Sequence, residues 1–120
     1  MGPIEAINRT FEAWERDDAD AVAALFTEDG RYEDPLFPEA LVGPEAIRAG
    51  VRGGMDEITD LEIPVTHVVE AGDVGFVEAK FLCKLAANSE RFDFDFAMVV
   101  IMRDGKISRL TEYFDTHPFV

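Results

Sequence analysis

The chain is poor in the residues that build metal centres and covalent cross-links. Among 120 residues there is one cysteine, Cys83, and there are two histidines, His67 and His117. One thiol forms neither an intramolecular disulfide nor a cysteine-based metal site. Two histidines would need carboxylates to complete a zinc site, so neither metal nor cofactor is expected. Positive charge is scarce as well: 11 Lys and Arg stand against 25 Asp and Glu, a net charge of −14. Phosphate backbones and anionic headgroups repel such a surface, so neither nucleic acid nor a membrane is an expected partner. No apolar run approaches the ~18 residues of a membrane span and no signal-like stretch opens the chain, which makes a cytoplasmic location the expectation. Repeats, linkers and low-complexity tracts are also missing, and one domain over residues 1–120 is expected.

What the sequence does have is apolar bulk. Hydrophobic residues make up 48% of it, with ten phenylalanines. Side chains of that size fill a core and can still wall a cavity, so the expected ligand is small, neutral and hydrophobic.

The first half reads helical. Pro3 suits a first helical turn, and Ile4, Ile7, Phe11 and Trp14 follow at helical spacing. Asp17-Asp18-Ala19-Asp20 breaks that helix and caps a second one over Ala21 to Phe26. A third starts at Gly43-Pro44 and is expected to end near Gly53-Gly54. Between the last two, Gly30 to Pro35 reads as a short strand. Its period of two puts Tyr32 and Asp34 on one face and Glu33 on the other, and Pro35 stops the ladder.

The second half reads as strands. Ile63, Val65, His67 and Val69 form one alternating face. Val77, Ala79, Phe81, Cys83 and Leu85 form another, and Phe92, Phe94, Phe96, Met98 and Val100 a third. A two-residue turn at Asn88-Ser89 predicts Lys84 opposite Asp93 and Cys83 opposite Phe94. In the last strand, Lys106 to Asp115, the face depends on the turn. A three-residue loop with Gly105 left-handed sets Leu110 opposite Met98 and Glu112 opposite Phe96. A two-residue Asp-Gly turn would exchange the faces. The first is preferred, because it stacks Phe114 on the phenylalanine face.

The expected fold is therefore α+β: three N-terminal helices on one side of a curled antiparallel sheet. The far side of the sheet, with Val99 and Ile101 beside Lys80, Asp93 and Asp95, is a mixed surface suited to a dimer interface.

This organisation resembles the ketosteroid isomerase, SnoaL-like and limonene-epoxide-hydrolase group, also called nuclear-transport-factor-2-like. The residues that carry the resemblance are Ala24-Leu25-Phe26-Thr27-Glu28-Asp29 leading into Tyr32-Glu33-Asp34-Pro35, then Gly43-Pro44-Glu45-Ala46-Ile47-Arg48. Asp104-Gly105-Lys106-Ile107 and Glu112-Tyr113-Phe114-Asp115 complete it. The resemblance implies a cone-shaped half-barrel with an internal pocket, a homodimer, and Asp34 at the position of the isomerases' general base. Thr10 stands where that family keeps an oxyanion tyrosine, and Met98 or Ala97 where it keeps an oxyanion aspartic acid. Against the epoxide hydrolases, Tyr32, Asp34 and Glu112 match catalytic positions, whereas Ala79 and Phe81 replace the arginine and second aspartate.

Asp34, Glu112 and Tyr32 are accordingly the candidate catalytic residues. Desolvating a carboxylate at the rim of an apolar cavity raises its basicity, which suits Asp34 as a base. Glu112, between Leu110 and Phe114, would hold its proton and donate to a substrate oxygen, as would the Tyr32 hydroxyl. Trp14, Phe11, His67, Phe81, Met98 and Phe114 are expected to line the pocket, His67 as a polar break in an apolar face. Acid–base proton transfer on a small hydrophobic carbonyl compound is the leading expectation. The alternatives are a carboxylate-activated water for hydration, epoxide opening or cyclisation, and a non-catalytic ligand-binding or dimerisation module.

Overall fold

The computed structural model describes residues 1–119. Helix α1 spans Pro3–Glu15, α2 Ala19–Ala23 and α3 Pro44–Met55. The strands are β1 Phe26–Glu33, β2 Leu41–Val42, β3 Ile58–Glu62, β4 Val65–Ala71, β5 Val74–Leu85, β6 Phe94–Arg103 and β7 Lys106–Tyr113. A single 3-10 turn, His117–Phe119, follows β7.

The helices start where the local chemistry starts them. Pro3 and Pro44 occupy first-turn positions, where a missing N–H costs nothing. Ala6, Ile7, Thr10 and Phe11 recur at helical spacing and are buried, giving α1 one apolar face. Asp17 takes a left-handed φ of 61° that ends the helix, and the Asp18 carboxylate caps α2 by accepting the Ala21 N–H at 3.0 Å. The helix boundaries differ from the sequence reading at three points, the first being that α2 begins at Ala19, directly after its Asp18 cap, rather than at Ala21. Phe26 is the first residue of β1 rather than the last of α2, with its backbone paired to Ile107. Helix α3 runs through Gly53-Gly54 to Met55, whose buried side chain holds the final turn against the core.

The strand order is β2-β1-β7-β6-β5-β3, with β4 also pairing β5. All pairings are antiparallel except β1 with β7, which is parallel. The curled sheet is thus mixed, not wholly antiparallel. No hairpin joins these two strands, so nothing local dictates their relative direction. Together the three helices and the sheet form an α+β half-barrel, a cone with the helices across its open side.

The strand read from Ile63 to Val69 begins only at Val65, and a separate strand that the sequence reading lacked, β3, precedes it. Pro64 has no N–H to donate, and the chain breaks there into β3, which pairs the end of β5, and β4, which pairs its start. A register shift between Val65 and His67 then turns His67 outward, opposite the outward-facing Glu78. Val68 becomes the half-buried residue of β4, while Val65 and Val69 are exposed.

The β5–β6 hairpin keeps the predicted faces in another register. Phe81 lies opposite Phe94, and Lys80 opposite Asp95, two positions from the pairing expected of a two-residue turn. The connection is longer, with Ser89 left-handed at φ 61° and its N–H donating to the Leu85 carbonyl at 2.8 Å. A slip of two residues leaves every side chain on its own face.

The β6–β7 connection is the two-residue Asp104-Gly105 turn, both residues at positive φ, which matches the twist of a hairpin. Such a turn alone would have reversed the faces of β7. A bulge reverses them back: Ile101 pairs Arg109 while Met102 pairs Ile107, so Ser108 has no partner opposite. The Ser108 hydroxyl bonds the Ile101 carbonyl at 3.0 Å. Both Ile107 and Leu110 are consequently fully buried. Met98 faces Glu112 and Val100 faces Leu110, in place of the pairings expected from a three-residue loop.

Helix α1 lies close against β5 at Gly75, where an added Cβ would sit 2.7 Å from Pro3 Cβ and 3.1 Å from Ile7 Cδ1 and Val100 Cγ2. Alanine is otherwise the better strand residue, so Gly75→Ala separates propensity from packing. It is expected to lower stability by about 1–3 kcal/mol, read as a lower urea midpoint at constant m; an unchanged midpoint would show that the helix yields freely.

Candidate functional site

The cone encloses a cavity of about 350 Å³. Each wall comes from a different element. Helix α1 contributes Phe11 and Trp14, β5 contributes Phe81, and β6 contributes Phe94, Phe96 and Met98. Phe114, just beyond β7, closes one side. The rings support one another: Phe11 meets Phe96 edge-on at 5.8 Å, Trp14 meets Phe81 at 6.0 Å, and Phe81 stacks on Phe94 at 4.9 Å. Interlocked rings of this kind resist collapse into the space they surround.

Three acidic groups converge at one end. Tyr32 stacks on Phe26 and is 1% exposed. Its hydroxyl donates a short hydrogen bond to Glu112 Oε1, across the parallel seam between β1 and β7. Glu112 keeps some solvent-accessible surface because it opens into the cavity, although protein surrounds its carboxyl. Asp34 reaches the same space from the turn after β1. One of its oxygens accepts the Leu36 N–H at 2.8 Å, while its carbonyl accepts the Phe37 N–H at 3.0 Å. Asp34 thus builds the turn that Pro35 begins and presents a carboxylate to the cavity as well.

Burial pushes the Glu112 carboxyl well above its ordinary 4.5, the neighbouring Asp34 carboxylate pushes the same way, and the bond from Tyr32 opposes them. Burial, and then the Glu112 charge, likewise drive the Tyr32 phenol well above 10.0. The end of the cavity therefore holds a protonated phenol, a carboxylic acid inclined to keep its proton, and a second carboxylate beside it. Such a set can accept a proton at one oxygen and donate one from another without a metal.

Of the residues expected at the site, Asp34, Glu112, Tyr32, Trp14, Phe11, Phe81, Met98 and Phe114 all line this cavity. His67 does not. Its side chain is 71% exposed and faces Glu78 at 3.4 Å on the outer surface, because the β4 register shift turned it away. Sequence reasoning passed over Phe37, Phe92 and Phe119 as lining residues. Phe119 packs on Phe92, Phe94 and Phe114 at 4.9, 5.2 and 5.3 Å and so covers one side of the space. Phe37 and Phe119 lie outside the strands and long helices, where periodicity carries no signal. Cys83 also lines the cavity; its thiol donates to the Phe92 carbonyl and burial raises its pKa, which leaves it unreactive. Among the described residues, no three His, Cys, Asp or Glu side chains are grouped to hold a metal ion, and no helix is long and apolar enough to cross a membrane.

A curled half-barrel closed by helices around an internal pocket defines the nuclear-transport-factor-2-like class. Within it, the sequence matches the model of the SnoaL-like domain over residues 7–110, and the chain belongs to that family. Solved structures share the fold. A protein of ketosteroid-isomerase-like fold from Catenulispora acidiphila, in complex with trimethylamine, superposes with a TM-score of 0.85 at 22% identity, covering 94% of this chain and 87% of that one. A protein described as an isomerase from Bacillus subtilis gives 0.84 at 19% identity, with 96% and 87% covered. An epoxide hydrolase of M. tuberculosis gives 0.79 at 22%, with 96% and 84% covered. A search of curated proteins gives no significant match.

The Glu112 environment predicts a pH signature. A carboxyl whose folded pKa exceeds its unfolded 4.5 stabilises the fold fully below that pH, and the contribution fades as pH rises through the higher folded value. Glu112→Gln cannot titrate. The stability of wild type relative to this variant is therefore expected to fall as pH rises above about 4.5. Urea midpoints of both proteins across pH 4–9 measure it, and parallel curves would show that Glu112 ionises freely.

Proposed function

We propose that this protein is a cofactor-independent acid–base enzyme acting on a small hydrophobic carbonyl compound. The observation that supports this reading is the convergence of Asp34, Glu112 and Tyr32 at one end of an aromatic cavity of about 350 Å³. In this reading the carbonyl oxygen lies against Glu112 and the hydrocarbon against Trp14, Phe81 and Phe96. Asp34 takes a proton from the carbon next to the carbonyl. Glu112, with Tyr32 behind it, supplies a hydrogen bond to the oxygen on which negative charge develops. Return of the proton from Asp34 to another carbon of the conjugated system completes an isomerisation. Structural neighbours described as an isomerase and an epoxide hydrolase make enzymatic chemistry on this fold a reasonable expectation.

Asp34→Asn keeps the shape of the turn and the acceptor for the Leu36 N–H while removing the base. It is expected to leave the fold intact and to lower turnover by about two to four orders of magnitude. The check is solvent-deuterium incorporation next to the carbonyl across a panel of cyclic enones. Wild-type exchange at the rate of the variant would discard Asp34 as the base, and uptake of labelled solvent oxygen would point instead to activated water.

The same reading includes a homodimer formed through the outer face of the sheet. Val69 lies beside Phe76 and Phe76 beside Val99, giving an apolar stripe across β4, β5 and β6 in which Val69 and Phe76 are exposed. Light scattering is expected to report a dimer for wild type and a monomer for Phe76→Lys; a wild-type monomer would rule the interface out.

A further inference from the structure

The walls of the cavity contain three carboxylic acids, Asp34, Glu57 and Glu112, and no lysine, arginine or histidine. Several basic residues of the neighbouring elements are paired elsewhere, Lys84 with Asp60 and Arg91 with Asp93. Arg109 and Arg31 attend Glu33 on the outer face of the seam, and Arg52 attends Asp17 and Asp56 on the surface. An anionic ligand entering the cavity would lose its hydration and meet carboxyl groups with no counter-charge, a combination that costs several kcal/mol. A cation meets the opposite situation. The aromatic rings offer it their quadrupoles, and the carboxyls of Asp34 and Glu112 at one end of the cavity offer it their oxygens. The net charge of −14 raises the concentration of cations around the whole molecule.

We propose that the cavity binds small hydrophobic amines as ammonium ions, with the nitrogen between Asp34 and Glu112 and the hydrocarbon against Trp14, Phe81 and Phe96. The titratable groups that line the cavity are Tyr32 on β1, Asp34 beyond it, Glu112 on β7, Cys83 on β5 and Glu57 between α3 and β3. Helix α1 contributes Thr10, Phe11 and Trp14, none of which titrates. Burial, and then the neighbouring Asp34 carboxylate, raise the Glu112 pKa well above its ordinary value and so favour its protonated form. The entering ammonium stabilises the carboxylate, so the Glu112 proton leaves to solvent as the positive ligand arrives and the charge balances. Recognition of this kind needs the cavity open to ligand, as the acid–base reading does, but does not need the ligand to be transformed.

A charge series on one hydrocarbon tests it: 2-naphthylmethylamine, 2-naphthylmethanol and 2-naphthoate, titrated calorimetrically at pH 7 in about 0.3 M salt, where exposed charges are screened beyond ~6 Å. The amine is expected to bind at least about tenfold more tightly than the alcohol, and the carboxylate not to bind. Asp34→Asn and Glu112→Gln, each checked for folding by near-UV circular dichroism, are expected to bring the amine to within about threefold of the alcohol. Titrating the amine in two buffers of different ionisation enthalpy is expected to show proton release that declines as pH rises. Naphthoate binding as tightly as the amine, failure of all three ligands to bind, or an amine preference that survives both substitutions would overturn the proposal. Amine binding without exchange on any enone would instead sink the acid–base reading alone.

Discussion

The hydrogen bond from Tyr32 to Glu112 spans eighty positions of sequence and exists because β1 and β7 run parallel side by side. That seam is the constraint on which the site depends. It sets the two acidic side chains on the same inward face, and it carries the chain from Tyr32 into the turn that delivers Asp34. It also separates two electrostatic environments. On the outer side Glu33 accepts Arg109 at 2.5 Å and Thr111 at 3.1 Å, and its carboxyl is held below the usual range even though burial opposes the shift. On the inner side, one residue along each strand, Glu112 finds no cation and is pushed the other way. Two glutamates within one ladder therefore differ in charge behaviour through the face they occupy.

The walls of the cavity are aromatic rings that contact one another around it. Phenylalanine rings have few rotamers, and here they brace one another, Phe11 edge-on to Phe96 and Phe81 stacked on Phe94, so an inward swing of one would cost its contacts with the others. The C-terminal 3-10 turn adds Phe119 to this cluster. The exposed ion pairs do little by comparison. Lys80 and Asp95, at 3.0 Å on the outer face, are solvated and contribute at most about 1 kcal/mol.

The alternation of β5 and β6 was readable in full, because one face of each strand is buried and a slip of two residues leaves it buried. Hence the hairpin register could differ from expectation while Phe81, Phe94, Phe96 and Met98 still reached the cavity. His67 shows the opposite case. Its apolar neighbours at alternate positions pointed inward on paper, and a single register shift in β4 sent it to solvent. In β7 the turn and the bulge each exchange the faces, so Glu112 points inward as expected while Ile107, two positions from Arg109 in a regular strand, is buried with Leu110. Phe37 and Phe119 belong to irregular chain, where no period exists to read.

By itself, the sequence determined what local chemistry and short-range periodicity can determine: the helix starts at Pro3 and Pro44, the break at Asp17, the faces of β5 and β6, and an Asp before Pro35 at the end of a strand. Those depend on φ preferences, caps and the alternation of side chains, all of which act over a few residues. Tertiary structure alone decided that β1 lies parallel to β7, that bulges re-aim β4 and β7, and that three acids meet in a cavity without a cation. Each of these is a pairing between distant segments, fixed by how the whole apolar surface is covered at once, and no local preference encodes it.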